Sequence, residues 1–214
     1  MTTNYENNNI AHIRGTVQEE PKFSHEILGE GFYDLKLNVP RLSEQYDSIP
    51  VTISERLLGD TSIGDELSID GQFRSYNKLE DGKSKLILTL FAKELVPDDI
   101  TTNSNTISLT GYICKNPIYR TTPFGREICD CLIAVNRAYN KSDYIPCIAW
   151  GRNARFVKNL EIGAKVTVVG RIQSREYQKK YSDEDIETKT AYEVSISSIS
   201  LSADSDNIPL DIAE

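Results

Sequence analysis

Methionine and tryptophan each occur once in this 214-residue chain, histidine twice and cysteine four times. His12 and His25 are isolated, which leaves no basis for histidine-based catalysis or metal ligation. Cys129-Asp130-Cys131 is a C-x-C, with no second pair or histidine cluster at zinc spacing. With Cys114 and Cys147 also lying among apolar residues, the four thiols read as reduced core cysteines. No apolar run approaches the ~18–20 residues of a membrane span. The polar start Met1-Thr2-Thr3-Asn4 lacks the basic and apolar stretches of a signal peptide, so a cytoplasmic protein is expected. No carboxylate cluster, nucleophile–base pair or phosphate loop is visible, and neither an enzyme nor a cofactor is expected.

Positive charge is also scarce. The net charge of −8 excludes a uniformly basic surface, but the deficit is uneven. Residues 1–100 hold 10 Lys/Arg against 18 Asp/Glu, whereas 101–201 hold 14 against 10, a local net of +4. Local charge governs phosphate binding, so the acidic average does not rule it out.

What the chain does have is repetition. A shift of 96 residues aligns Asn9 with Asn105, Gly15 with Gly111, Pro21 with Pro117 and Gly29 with Gly125. The same shift aligns Asp34 with Asp130, Val39 with Val135, Arg41 with Arg137, and Ile49-Pro50 with Ile145-Pro146. A three-residue insertion brings Ile63-Gly64 onto Ile162-Gly163 and Gly71 onto Gly170, and a further seven-residue insertion matches Leu95 with Leu201. A constant register of this kind marks two copies of one domain. In the second copy, period-2 alternation predicts strands over 106–115, 128–136, 144–150, 165–174 and 190–201. A helix is predicted over 152–160, stopped by Gly163. That order suits a five-stranded OB-fold barrel, so the expectation is all-β, two tandem OB-fold barrels with one short helix each. The expected divisions are a polar extension 1–9, a diverged OB-fold 10–96, a linker 97–104, a second OB-fold 105–201 and an acidic tail 202–214.

Within the second copy, Asn105-Thr106-Ile107-Ser108-Leu109-Thr110-Gly111 is followed by Thr122-Pro123-Phe124-Gly125 and Ala134-Val135-Asn136-Arg137. Then come Tyr144-Ile145-Pro146-Cys147-Ile148-Ala149-Trp150-Gly151-Arg152 and Val169-Gly170-Arg171-Ile172-Gln173-Ser174-Arg175-Glu176-Tyr177. In order and spacing these segments resemble the bacterial single-stranded DNA-binding protein family across 105–201. The resemblance implies an OB-fold, sequence-tolerant binding of single-stranded DNA, and four OB-folds per functional unit, reached here as a homodimer. It implies stacking positions at Tyr144, Trp150 and Tyr177. It also implies that Asp206, Ile208, Pro209 and Leu210 form a displaced version of the acidic tip that recruits replication and repair proteins. Leucine stands there where the family has a terminal phenylalanine, four residues follow, and the usual long linker is missing, so an ordinary solvated tail stands beside that reading.

The side chains support such an interface by themselves. Tyr144 and Trp150 are six residues apart and share one strand face, while Arg171, Gln173, Arg175 and Tyr177 alternate along another strand. Aromatic faces stack on bases of any identity, and arginine serves both phosphates and bases. Arg137 and Tyr139 begin the loop after the second strand and Lys141 lies within it, Arg152 opens the helix, and Lys179 and Lys180 sit near the insertion. Structural roles compete at several of these: Trp150 could plug a barrel end, Arg152 could pair with a carboxylate, and Tyr119, with Phe23 as its counterpart, suggests shared packing. The first copy has Ser48 and Ser54 where the second has Tyr144 and Trp150, and residues 9–95 net −5. Arg41, Arg74 and Tyr76 survive there, and assembly is the role expected of that copy, with weak DNA contact as the second reading. A tandem OB-fold adaptor that binds protein, with weak DNA contact, is the alternative reading.

Overall fold

Alternating apolar residues in short segments bounded by glycine leave one solution, strands that bury one face each. In the computed structural model, which describes residues 7–80, 82–97, 104–180 and 186–202, the first copy contains six strands and a helical turn. They are β1 (Asn9–Val17), β2 (Lys22–Ile27), β3 (Glu30–Pro40), β4 (Tyr46–Ser54), α1 (Glu55–Leu58), β5 (Glu66–Glu80) and β6 (Lys83–Leu95). The second copy repeats them as β7 (Asn105–Ile113), β8 (Ile118–Thr121), β9 (Glu127–Arg137), β10 (Lys141–Trp150), α2 (Arg152–Val157), β11 (Lys165–Lys180) and β12 (Ile186–Leu201).

Strand pairing in the first copy runs β3–β4–β6–β5–β1, and β1 pairs back onto β3. In the second it runs β9–β10–β12–β11–β7, and β7 pairs back onto β9. Each copy is thus a ring of five paired strands, the OB-type arrangement expected, filled by inward side chains. Ile13, Leu35, Ile49, Phe73 and Leu90 fill the first; Leu109, Ile133, Ile145, Val168 and Ile172 fill the second, all fully buried. Each such side chain contributes about 1.5–3 kcal/mol.

Three features differ from the sequence expectation. Each copy has an extra edge strand, β2 or β8; all six residues of β2 are exposed, so no alternation marks it. Strands β11 and β12 run past 174 and start before 190, pairing as a two-stranded arm out to Lys180 and Ile186, where polar residues on both faces hide the period. The helix α2 ends at Val157, short of 160. One match of the repeat is also corrected. Val168 faces Ile199 where Ile69 faces Leu95, so Leu95 corresponds to Ile199 and not to Leu201. The offset between copies is 104 there against 99 at the glycines, an arm insertion of five residues rather than seven.

Both copies join into one twelve-stranded sheet through β1 and β7. Their register pairs Ala11 with Ile107, residues equivalent under the 96-residue repeat, so a pseudo-twofold axis passes there. Symmetric bonds flank it: the Arg14 N–H donates to Ser104 and the Thr110 N–H to Asn8, both at 2.8 Å. The buried amides of Asn9 and Asn105 repeat one device. Asn9 exchanges two bonds with the backbone of Phe73 (2.7 and 3.0 Å), as Asn105 does with Ile172 (2.7 and 2.9 Å).

The repeated glycines have a steric cause. A β-carbon at Gly71 would overlap the Phe91 carbonyl, and one at Gly170 the Ser195 carbonyl, at the bulges where β5 and β11 bend. Gly15 and Gly111 meet the Asn38 and Ala134 carbonyls in the same way. Backbone cannot yield as a flexible side chain can, so Gly111→Ala and Gly170→Ala are each expected to cost about 1–3 kcal/mol. A urea midpoint lowered in both, beside a control such as Gly31→Ala, whose β-carbon would press chiefly on the movable Glu55 side chain, checks this.

Candidate nucleic-acid interface

On β10 the residues alternate, except that Ile148 on the outward parity is also buried. Ile145, Cys147 and Ala149 are buried, while Tyr144 (37 %) and Trp150 (39 %) open onto the outer face. Register places Ile148 beside Ser195 on β12, and Ser195 beside Arg171 on β11, so these three strands present one surface. Along β11 the opposite parity, Ile172, is core. Gln173, Arg175 and Tyr177 (39 %) therefore continue the surface that carries Tyr144 and Trp150, with Tyr177 out on the arm opposite Lys189. The three rings expected to stack share one outer face.

The arginines are less free than alternation suggests. Arg171 donates to the fully buried Asp47 of the first copy at 2.9 Å and to Gln173 at 3.1 Å, which makes it part of the seam between copies. Glu193, buried in the middle of the outer face, accepts from Gln173 at 2.7 Å and lies 3.7 Å from Arg175. Arg137 donates to Asp143 at 3.2 Å. Tyr139 is exposed, in a turn at Ala138–Asn140 where it and Asn140 take positive φ, and the exposed Lys141 begins β10. Arg152 is exposed at the start of α2. Lys179 is exposed on the arm across from Glu187; Lys180 is its last β11 position. Residues 181–185 and the tail with Asp206, Ile208, Pro209 and Leu210 lie outside the described residues. Tyr119 is half-buried against the core and bonded to Glu127, the packing role its repeat partner suggested.

The residues that sequence reasoning missed are two aspartates. Asp47 and Asp143 are equivalent under the repeat, and each is buried. Asp47 accepts from both Arg41 nitrogens that reach it, from Arg171, and from the Ser174 N–H at 2.7 Å. Asp143 accepts from Arg137 and from the Ser75 N–H at 2.8 Å, and Ser75 receives the Tyr144 N–H at 2.7 Å. Arg41 therefore serves the seam. Burial pushes the Asp143 carboxyl up, opposed by the Ser75 N–H and by Arg137. The signal was available in the sequence, since both carboxylates sit one residue before the compared Ser48 and Tyr144. Charge on an apparent strand face simply reads as solvated until a partner strand covers it.

Burial raises the Cys114 thiol, lifts Cys129 to about 11 and holds Cys147 well above its ordinary value. Among the described residues no group of His, Cys, Asp and Glu could hold a metal, and no helix is long and apolar enough to cross a membrane.

The single-strand binding protein family model matches residues 104–202, the span from the seam strand β7 to the end of β12. The similarity lies in the second copy, a little under half of the chain. Single-stranded DNA-binding protein 1 of Staphylococcus aureus is 37% identical over 83 residues, covering 36% of this chain and 50% of that protein. Single-stranded DNA-binding protein A of Bacillus subtilis is 35% identical over 83 residues, 36% of this chain and 48% of that one. The chain thus spans about half the length of these curated relatives. The fold of both copies is shared with the wild-type single-stranded DNA binding protein from Thermus aquaticus. That similarity has a TM-score of 0.71 at 18% identity, over 93% of this chain and 95% of that one.

Breaking the seam should be costly because Asp47 is inaccessible to water. Asp47→Ala leaves Arg41, Arg171 and the Ser174 N–H without their acceptor, and a loss of about 3–5 kcal/mol is expected in urea unfolding. Asp47→Asn keeps one acceptor oxygen and should lose less.

Proposed function

We propose that the second copy, the part matched by the single-strand binding protein family, binds single-stranded DNA without sequence preference, as part of replication, recombination and repair. The observation that carries this is the row of exposed rings, Tyr144, Trp150 and Tyr177, on one face of β10 and β11. Rings left in water gain by stacking, and each stacked base contributes about 1–3 kcal/mol whatever its identity. Arg175, Lys141, Arg152 and Lys179 surround the rings as exposed cations for the phosphates, with Tyr139 as a further exposed ring. Arg171 and Arg137, held by Asp47 and Asp143, also shape the surface from behind. Cytoplasmic location, a homodimer with four OB-folds, and partner recruitment by the tail belong to the same proposal.

Trp150, the only tryptophan, is a built-in reporter. Oligo-dT should quench its fluorescence, with binding that weakens with salt at a slope of about −0.7 per phosphate contacted. Tyr144→Ala and Tyr177→Ala should each weaken binding by about 1–3 kcal/mol, while Arg171→Ala lowers stability more than the salt slope. Absence of quenching, with no gel shift at low salt, would sink the proposal.

A further inference from the structure

Strand β10 has an edge that its own barrel leaves partly uncovered. On one side β9 pairs with it from Lys141 to Trp150. On the other side β12 meets it only at Cys147 and Ile148. The stretch that carries Tyr144 therefore turns its second edge toward the first copy, where β5 lies against it. A backbone N–H shielded from water needs an acceptor, and here the barrel has none to offer. Ser75 of β5 supplies one. It is buried, its Oγ accepts the Tyr144 N–H at 2.7 Å, and its own N–H donates to Asp143 at 2.8 Å. The two bonds clasp consecutive residues of β10 from a single residue of the other copy.

The pseudo-twofold mate has the same clasp with more support. There Ser174 receives the Ser48 N–H at 3.0 Å and donates its own N–H to Asp47 at 2.7 Å. Asp47 is held as well by two nitrogens of Arg41, by Arg171 and by the Ser174 hydroxyl. Among the described residues Asp143 has only Arg137, at 3.2 Å, beside Ser75. It lines a cavity of about 370 Å³ whose other cations, Arg74, Lys93 and Lys141, make no hydrogen bond to it. The Ser75 clasp is thus the less redundant of the two. What it holds also differs: Ser48 brings no ring, whereas Tyr144 opens onto the outer face. Among the described residues the Tyr144 side chain makes no aromatic or cation–π contact, so its place is set chiefly by the β10 backbone.

We propose that Ser75, a residue of the first copy, is a positioning residue for the stacking platform of the second: held by Asp143, its hydroxyl fixes the β10 backbone at Tyr144 and so the place of the aromatic ring. The role rests on the reading of the β10–β11 face as a single-strand surface. Ser75 itself touches no nucleotide and acts only through Tyr144. A base stacks well only on a ring held at a set distance and tilt, and a backbone ordered beforehand reduces the entropy lost when the strand arrives.

A double-mutant cycle in the full chain, titrated with oligo-dT and read by Trp150 fluorescence, tests it. Tyr144→Ala should weaken binding about fivefold or more. Ser75→Ala should weaken it about threefold or more, with the salt slope unaltered because no phosphate contact is lost. Added to Tyr144→Ala, the Ser75→Ala change should cost nothing further. Ser75→Thr and Ser75→Val match in shape and differ in the hydroxyl, so the first should bind within about twofold of the unaltered chain and the second should repeat the loss. That pair carries the test if Ser75→Ala does not fold. An equal loss from Ser75→Ala with and without the Tyr144 ring would mark a general loosening of the seam and overturn the proposal. Unchanged affinity in both Ser75→Ala and Ser75→Val would overturn it too. Unchanged affinity in Tyr144→Ala would instead remove the underlying reading of that ring as a stacking platform, and the positioning role with it.

Discussion

The seam between the two copies depends on a buried negative charge that has no water to turn to. Asp47 and Asp143 each accept a backbone N–H from the other copy and an arginine from their own. A carboxylate taken out of water needs several donors at once, and here those donors come from both sides of the seam. The β1–β7 pairing aligns the copies, and the aspartates lock β4 against β11 and β10 against β5. Everything proposed for the outer face relies on that alignment, because Tyr144 is tied through its N–H to Ser75 of the neighbouring copy.

Much of this was legible beforehand, and what was legible had a local cause. The repeat exposed the duplication because the glycines at 15, 71, 111 and 170 are demanded by backbone contacts within each copy. Alternation exposed the inward face of β10, since a half-buried strand must separate Ile145 and Cys147 from Tyr144 and Trp150. The edge strands β2 and β8 left no such trace, and neither did the outer arm of β11 and β12, where water surrounds both faces. The ion pairs of Arg171 and Arg137 left no trace for a different reason. An arginine on an outward strand face looks like a phosphate ligand, and only the fold brings Asp47 within 2.9 Å of Arg171.

Divergence between the copies follows a simple rule of packing. Positions facing the barrel interior or the seam keep their character: Asn9 and Asn105, Asp47 and Asp143, Arg41 and Arg137 each repeat the same bonds or part of them. Positions facing water drift. Ser54 against Trp150 and Phe91 against Ser195 are exchanges on the outer face, where the barrel tolerates a ring or its absence. The surface chemistry of one copy is therefore a poor guide to the other even though their frames superimpose in register.

The β1–β7 join has one more consequence. In an assembly of separate identical chains, any change at the contact appears on both sides of the axis, and the contact itself dissolves on dilution. Tethering the partners in one polypeptide replaces bulk concentration with a local one in the millimolar range, so the union persists at any dilution. It also releases the halves from mirror obligation. Charge could gather around Arg74, Lys93, Arg137 and Lys141 at one end of the axis without being duplicated at the other. A duplication that began symmetric has in this way acquired a front and a back.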